Sequence, residues 1–333
     1  MKQKTALVTG ISGQDGSYLA EYLLGLGYKV TGLVRRLSNP NHQNLKDIIG
    51  KVELVYGDMT DNSSIVNLIS THEFNEVYNL AAQSSPAESF KQPFLTTDVV
   101  GLGAHRLFDA IFKYSPKTKV YQASTSEMFG NAIQTPQNDF TPFNPMNPYG
   151  CAKLYAHQIA KIYRAKGLFI SCGILFNHES ERRGLQFVTQ KICYGVACIS
   201  LGIKNSEALN EENEPLVTDG KISLGNLDAV RDWGYAPDYV KAMHLLLQQD
   251  DCDDYVVATG VKHSIRDLLN EAFRSVDITD WEKYIEIDPR FVRKDTIFLL
   301  GNPVRIGGLG WKPETEFHTM IERMVRNNIA KLK

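Results

Sequence analysis

The chain has 333 residues and a formal net charge of −2, with 43% of its residues hydrophobic and 22% charged. That length holds one large domain or two closely joined ones, and the near-neutral balance gives no basis for nucleic acid or an anionic membrane as the main partner. No apolar run reaches the roughly 20 residues of a bilayer span; no signal-peptide pattern opens the chain, and Cys151, Cys172, Cys193, Cys198 and Cys252 are scattered without metal-ligand spacing, so a cytoplasmic, reducing setting is expected.

Lys4–Thr9 is a short apolar, β-branched run and predicts the first strand. It leads into Gly10-Ile11-Ser12-Gly13-Gln14-Asp15-Gly16 and a helix expected over Ser17–Leu26. A strand, a glycine turn and a helix in this order suit a dinucleotide. The glycines allow a tight turn and close approach of a pyrophosphate, which sits on the helix amino terminus. A second strand, Tyr28–Val34, ends in Arg35 and Arg36 with no acid until Asp47. Guanidinium groups suit a ribose 2′-phosphate where a carboxylate would repel it, which favours NADP over NAD; the competing reading is a solvated basic turn.

A third strand, Val52–Tyr56, is followed by Gly57-Asp58-Met59, with Asp58 placed for an adenine amino group. After a helix at Ser63–Ser70, the strand Glu76–Leu80 ends in Ala81-Ala82-Gln83-Ser84, small enough for a ribose and phosphate to lie against it. Pro86–Pro93 reads as irregular, and Thr97–Tyr114 as a long helix. The strand Val120–Ala123 runs into Ser124-Thr125-Ser126-Glu127. Strands alternating with helices argue an α/β, doubly wound parallel sheet of the Rossmann type, with ligands at the strands' carboxyl ends.

Tyr149 and Lys153 fall one turn apart on one helix face. A phenol is a weak base at neutral pH because its pKa is about 10, and a nearby ammonium lowers it. The pair therefore makes a general base for a sugar hydroxyl, although Tyr-x-x-x-Lys alone is a common helix pair. Thr125 can hold the same hydroxyl, and Glu127 adds a second acid/base group.

Further on, strands are expected at Leu168–Leu175, Ser223–Leu227 and Tyr255–Thr259, and helices at Phe187–Leu201, Ala236–Gln249, Ile265–Ser275 and Thr315–Lys331. Asn177 to Gly184 reads as a site or a surface loop, and Asn205–Gly220 as an exposed acidic excursion. His178 has no second ligand at metal spacing, so no metal is expected. Arg231 suits a diphosphate better than an ion pair with its neighbour Asp232. The expected division is a cofactor domain of residues 1–177 and 228–262, and a smaller, discontinuous α/β substrate domain of residues 178–227 and 263–333.

The glycine turn and the Tyr149/Lys153 pair together resemble the extended short-chain dehydrogenase/reductases. The runs TGISGQDGSYLAEYLL from Thr9, YQASTSEMFG from Tyr121, NPYGCAKLYA from Asn147, GILFNHESERRG from Gly173, LGNLDAVRDWG from Leu224, YVVATG from Tyr255 and GWKPE from Gly310 resemble the GDP-mannose 4,6-dehydratases over nearly the whole chain. The resemblance implies NADP contacts at Gly10, Ile11, Ser12, Gly13, Gln14, Asp15, Gly16, Arg35, Arg36, Asp58, Met59, Leu80, Ala81, Ala82, Gln83, Tyr149, Lys153, His178 and Arg183. It implies catalysis by Thr125, Glu127, Tyr149 and Lys153. Ser84, Thr125, Ser126, Glu127, Asn177, Lys191, Arg231 and Arg293 would hold the GDP-sugar, and a homo-oligomer, dimer or tetramer, is implied.

The sequence departs from that pattern in the shortened run after Arg36, the insertion at Asn205–Ser223, the altered Ala82 to Pro86, and Lys294, Thr296 and Phe298 where Pro, Glu and Asp are usual. The implied reaction is internal redox with loss of water. Its rivals are an NADPH-dependent 4-keto-sugar reductase and a non-catalytic NADP-binding sensor or scaffold.

Overall fold

Alternating buried strands and amphipathic helices build one central sheet. The computed structural model describes residues 3–210, 213–291 and 298–333. The first half contains β1 (Thr5–Thr9), α1 (Gln14–Gly25), β2 (Lys29–Val34), β3 (Glu53–Tyr56), α2 (Asn62–Thr71) and β4 (Glu76–Asn79). It continues through α3 (Pro86–Lys91), α4 (Pro93–Thr96), α5 (Gly103–Tyr114), β5 (Lys119–Thr125), α6 (Pro148–Ala165) and β6 (Ile170–Leu175). Then come β7 (Asn177–Glu179), α7 (Val188–Ser200), β8 (Val217–Thr218), β9 (Lys221–Leu224), β10 (Val230–Tyr235) and α8 (Ala236–Leu247). The chain ends with β11 (Asp254–Val257), β12 (Lys262–Ser264), α9 (Ile265–Arg274), β13 (Ile285–Ile287), α10 (Val304–Gly308) and α11 (Phe317–Leu332).

The seven-stranded sheet runs β11-β6-β5-β4-β1-β2-β3, and every pairing in it is parallel. A parallel sheet must be covered on both faces. Leu19 and Leu23 of α1 and Val240, Met243 and Leu247 of α8 cover one face. Ile65 and Leu68 of α2, Leu107 and Ile111 of α5, and Ala156 and Ala160 of α6 cover the other. The chain leaves β1 for β2 on one side and returns to β4 on the other, so the crevice of a doubly wound sheet opens between β1 and β4.

A separate core joins Ile192 and Val196 of α7, Leu268 and Phe273 of α9, and Met320 and Met324 of α11 to Ile222, Leu224 and Trp233. Two three-stranded sheets flank it, β12-β10-β7 and β13-β9-β8. No described helix is long and apolar enough to cross a membrane.

Four local expectations change. Pro86–Lys91 is a helix, because Ser85 Oγ accepts from Glu88 N at 3.3 Å and Pro86 occupies the first turn, where its missing N–H is harmless. The expected long helix is wound as a π-helix over Thr97–Leu102 before α5 begins. Asn177–Glu179 and Val230–Tyr235 are strands, paired in parallel with Trp233 opposite Asn177. The excursion is only partly exposed: Leu216 and Val217 are buried, and β8 pairs antiparallel with β9.

Candidate active site

The glycine turn is as tight as its sequence implies. Gly10 has φ +70°, and a side chain there would press on the Ala81 backbone at 3.0 Å. A Cβ on Gly16 would lie 2.3 Å from the Gly10 carbonyl oxygen. Helix α1 begins at Gln14, three residues earlier than expected, and its cap residue Gly13 supplies no side-chain hydrogen bond. The first-turn N–H groups thus lack a side-chain cap, which suits an anion such as a pyrophosphate. Ile11 is fully buried, and the Ser12 carbonyl accepts from Asn44 Nδ2 at 3.0 Å. The Thr9 hydroxyl receives Leu80 N and Ala81 N at 3.0 and 3.1 Å, which ties the ends of β1 and β4 together. Ala82 and Gln83 continue from there half-buried, whereas Ser84 is exposed.

Arg35 and Arg36 are exposed just beyond β2. Asp58 follows β3 by two residues; its Oδ1 accepts from Thr60 N and Oγ1 at 2.9 and 2.8 Å, and Met59 beside it is buried. Small backbone-hugging residues and an uncapped helix start fit a dinucleotide.

Asp15 and His178, both expected at the cofactor, bind each other. Asp15 Oδ2 lies 2.7 Å from His178 Nε2, while His178 Nδ1 donates to the Phe176 carbonyl at 2.6 Å. Burial would neutralise both. The opposite charge prevails, so the Asp15 pKa is lowered and that of His178 is raised. The imidazole also stacks on Tyr239 at 4.7 Å. The pair ties the first turn of α1 to β7.

Strand β5 runs two residues further than expected and ends at Thr125. The Thr125 hydroxyl accepts from Glu127 N at 3.3 Å and so caps the short turn Ser126–Met128, in which Ser126 is buried. Asn147 caps α6 by accepting from Gly150 N at 2.8 Å. Tyr149 and Lys153 follow on the inner face of the helix, 8% and 4% exposed. Lys153 Nζ donates to the Ala123 carbonyl at 2.7 Å and lies 5.8 Å from the centre of the Tyr149 ring.

Burial lowers the Lys153 pKa to about 8. Burial also pushes the Tyr149 phenol upward, opposed by its hydrogen bond with Thr125 and reinforced by the Glu127 charge. The Tyr149 pKa is therefore raised where the sequence reading expects it lowered, because desolvation outweighs the other influences. Thr125, Glu127 and Tyr149 nevertheless form one electrostatic unit.

One turn beyond Lys153, His157 extends the same stripe. Its Nδ1 lies 2.9 Å from Ser124 Oγ, and its Nε2 lies 3.3 Å from Asp254 Oδ2. Burial would raise the Asp254 pKa, but His157 and Arg164 bring it well below the carboxylate range. His157, Cys172 and Asp254 bring potential metal-ligand atoms within 4.8 Å of one another. Arg164 and Lys161 already supply positive charge to Asp254, at 2.7 and 3.1 Å. The cluster anchors α6 to β5 and β11. Sequence spacing missed it because its members meet only across three elements.

The residues expected to hold the sugar nucleotide lie on separate elements. Asn177 is in β7 and Arg231 in β10, where Arg231 Nη1 donates to the Val230 carbonyl at 2.8 Å. Lys191 on α7 is buried, with Nζ 4.0 Å from the Phe291 ring centre. Arg183 pairs with Glu179 at 2.9 Å and lies 3.5 Å over the Phe187 ring. Arg293, Lys294 and Thr296 lie outside the described residues. Asp232 is fully buried and accepts from Thr259 N, Thr259 Oγ1 and Gly260 N at 2.9, 2.6 and 2.9 Å.

Solved structures with this fold include a UDP-glucose 4-epimerase with UDP-glucose from Thermotoga maritima, at TM-score 0.82 and 22% identity, covering 99% of this chain and 100% of that one. A dTDP-glucose 4,6-dehydratase from Bacillus anthracis, in complex with NAD, superposes at TM-score 0.81 and 20% identity, covering 99% and 97% of the two chains. At such identities the likeness establishes the fold alone. Sequence relatives are nearer. GDP-mannose 4,6 dehydratase 2 of Arabidopsis thaliana is 44% identical, over 99% of this chain and 88% of its own length. GDP-mannose 4,6 dehydratase of Homo sapiens is 41% identical, over 99% and 93%. The family model described as GDP-mannose 4,6 dehydratase matches residues 7–324, and with these full-length relatives it establishes that the chain belongs to the GDP-mannose 4,6-dehydratase family.

Proposed function

We propose residue roles for the family's reaction, the conversion of GDP-mannose to GDP-4-dehydro-6-deoxymannose and water. The activity is that of a nucleotide-sugar 4,6-dehydratase, a lyase. Tyr149 takes the proton of the 4-hydroxyl, and Thr125 holds that oxygen. Lys153 holds the ribose of the cofactor and supplies positive charge beside the phenol. A bound NADP would supply a hydride acceptor and donor that is restored within each turnover, so no net reductant would be consumed. The 4-ketone acidifies C5; Glu127 removes that proton and then protonates the departing 6-hydroxyl.

The observation that carries this reading is Glu127 beside Thr125 and Tyr149, where its charge acts on the phenol. Oxidation at C4 alone needs the phenol and a hydroxyl holder, whereas elimination needs a base at C5 as well.

Arg35 and Arg36 support NADP over NAD, with the cofactor on the Gly10–Gly16 turn, Asp58, Met59 and Leu80 to Gln83, and with His178 and Arg183 at its nicotinamide end. Ser84, Ser126, Asn177, Lys191, Arg231 and Arg293 are assigned to the GDP-sugar. The separate core around α7, α9 and α11 supports a division into cofactor and sugar domains. Exposed Phe94, Leu95, Leu102 and Ile162 support assembly into a homo-oligomer through the α4–α6 face. Five free thiols support a cytosolic setting. Reduction of the 4-keto product to GDP-rhamnose is proposed as a side activity when NADPH is in excess.

The test is to incubate purified protein with GDP-mannose and catalytic NADP and to weigh the products. Loss of one water without net NADPH is expected. An unchanged GDP-mannose, with another sugar nucleotide turned over, would remove the substrate assignment.

A further inference from the structure

Asn147 uses both ends of its side-chain amide, and only one of them is needed to start the helix. Its Oδ1 accepts from Gly150 N at 2.8 Å. Its Nδ2 donates to Glu127 Oε2 at 2.8 Å. Asn147 is 7% exposed, and the Gly150 N–H fixes which way round its amide lies, since an N–H must face oxygen. The backbones meet here too: a Cβ on Gly150 would lie 2.7 Å from the Glu127 carbonyl oxygen. A helix cap requires only an acceptor, which Ser, Thr or Asp supplies equally well. The donor aimed at Glu127 is therefore surplus to capping.

We infer that Asn147 is a positioning residue of the elimination step, holding Oε2 of Glu127 so that Oε1 handles the proton. The inference rests on the role proposed above for Glu127. An amide N–H can donate to this carboxyl group in either protonation state and cannot take its proton. With Oε2 engaged, the proton lifted from C5 resides on Oε1. The C5–H bond breaks, its electron pair enters the enolate of the 4-ketone, and Oε1 gains the proton. Oε1 then returns that proton to the 6-hydroxyl as the C6–O bond breaks, releasing water and restoring the carboxylate. Since Asn147 also caps the helix that carries Tyr149, the bases for the 4-hydroxyl and for C5 are fixed to one turn of backbone. Among the described residues, Tyr149 feels the Glu127 charge, and Arg183 and Asp15 also act on that phenol.

Two variants separate positioning from capping. Asn147→Ser keeps a capping acceptor and drops the donor. Asn147→Asp keeps the acceptor and sets a second carboxylate against Glu127. Both are assayed as the full chain with bound NADP and GDP-mannose. For Asn147→Ser, kcat should fall about tenfold or more with KM within about threefold, and reduced cofactor should accumulate at 340 nm because the step after oxidation has slowed. For Asn147→Asp, the acid limb of the kcat profile should move up by about one pH unit or more, since like charges disfavour ionisation. In a Glu127→Gln background, Asn147→Ser should have no further effect on turnover. Wild-type kcat in Asn147→Ser, an unmoved acid limb in Asn147→Asp, or an undiminished Asn147→Ser effect in the Glu127→Gln background would each overturn the inference. Normal dehydration by Glu127→Gln alone would remove the role of Glu127 and this inference with it. A full Glu127→Gln defect with a silent Asn147→Ser would remove the inference alone.

Discussion

The two ends of the sheet each hold a carboxylate below the fully exposed surface, and they are treated differently. At the amino end, Glu76 accepts from Tyr78 at 2.7 Å, Tyr28 at 3.0 Å, Gln248 at 3.1 Å and Lys4 at 3.3 Å. It is 2% exposed, and its lone pairs are engaged. At the carboxyl end, Glu127 is half-buried and, among the described residues, accepts one side-chain hydrogen bond, from Asn147. A saturated buried carboxylate cements strands and helices together, whereas one with an oxygen in reserve can exchange a proton. Position in the sheet, rather than residue type, separates the two glutamates in how their oxygens are engaged.

The largest expected effect sharpens that contrast at the chemical end. Glu127→Gln should lower dehydration by about a thousandfold while single-turnover reduction of bound cofactor by GDP-mannose persists. Normal product formation by that variant would break the comparison. At the other end, Glu76→Ala leaves two phenols and an amide facing a void, and should cost about 3 kcal/mol in urea unfolding. The folded fraction should keep its kcat, and a kcat loss without a stability loss would refute a purely cementing role. Arg35→Ala with Arg36→Ala should weaken NADP binding by about tenfold and leave NAD binding unchanged, as read by titration calorimetry.

The smallest effect concerns the pair that mixes both roles, Asp15 and His178. The folded pKa of His178 is raised, so its contribution is complete below its ordinary value of 6.5 and is lost as pH rises through the folded value. That of Asp15 is lowered, so its contribution is complete above 3.8 and is lost as pH falls through the folded value. His178→Gln should therefore destabilise most between those values, by about 1–2 kcal/mol, and less on either side. A flat difference across that range in unfolding curves would show that stacking on Tyr239, not charge, carries the residue.

Much of this was legible because it is local. The glycine turn reads from seven consecutive residues, and Tyr149 and Lys153 from one helical turn. The parallel sheet reads from strands such as Ala6 to Val8, which are apolar on both faces and buried on both. Features made by pairing at a distance were not legible. Asn177–Glu179 is three polar-rich residues and becomes a strand only because β10 lies beside it. The helix at Pro86 was signalled by Ser85 and Pro86 themselves, but the prolines at both ends of the segment read as breakers. Asn147 advertises a cap, yet its second partner, Glu127, sits twenty residues earlier in the chain, and no spacing rule joins them.

The stripe of Tyr149, Lys153 and His157 has a consequence for redesign. Helix α6 is fastened to β5 through Ala123 and Ser124, and to β11 through Asp254. A helix pinned at successive turns acts as a fixed rail, and changing its inner face would derail the chemistry before it altered preference. The residues proposed for the sugar nucleotide, Ser84, Asn177 and Arg231, ride on elements other than α6, so variation aimed at a different sugar belongs there, where the rail stays fastened.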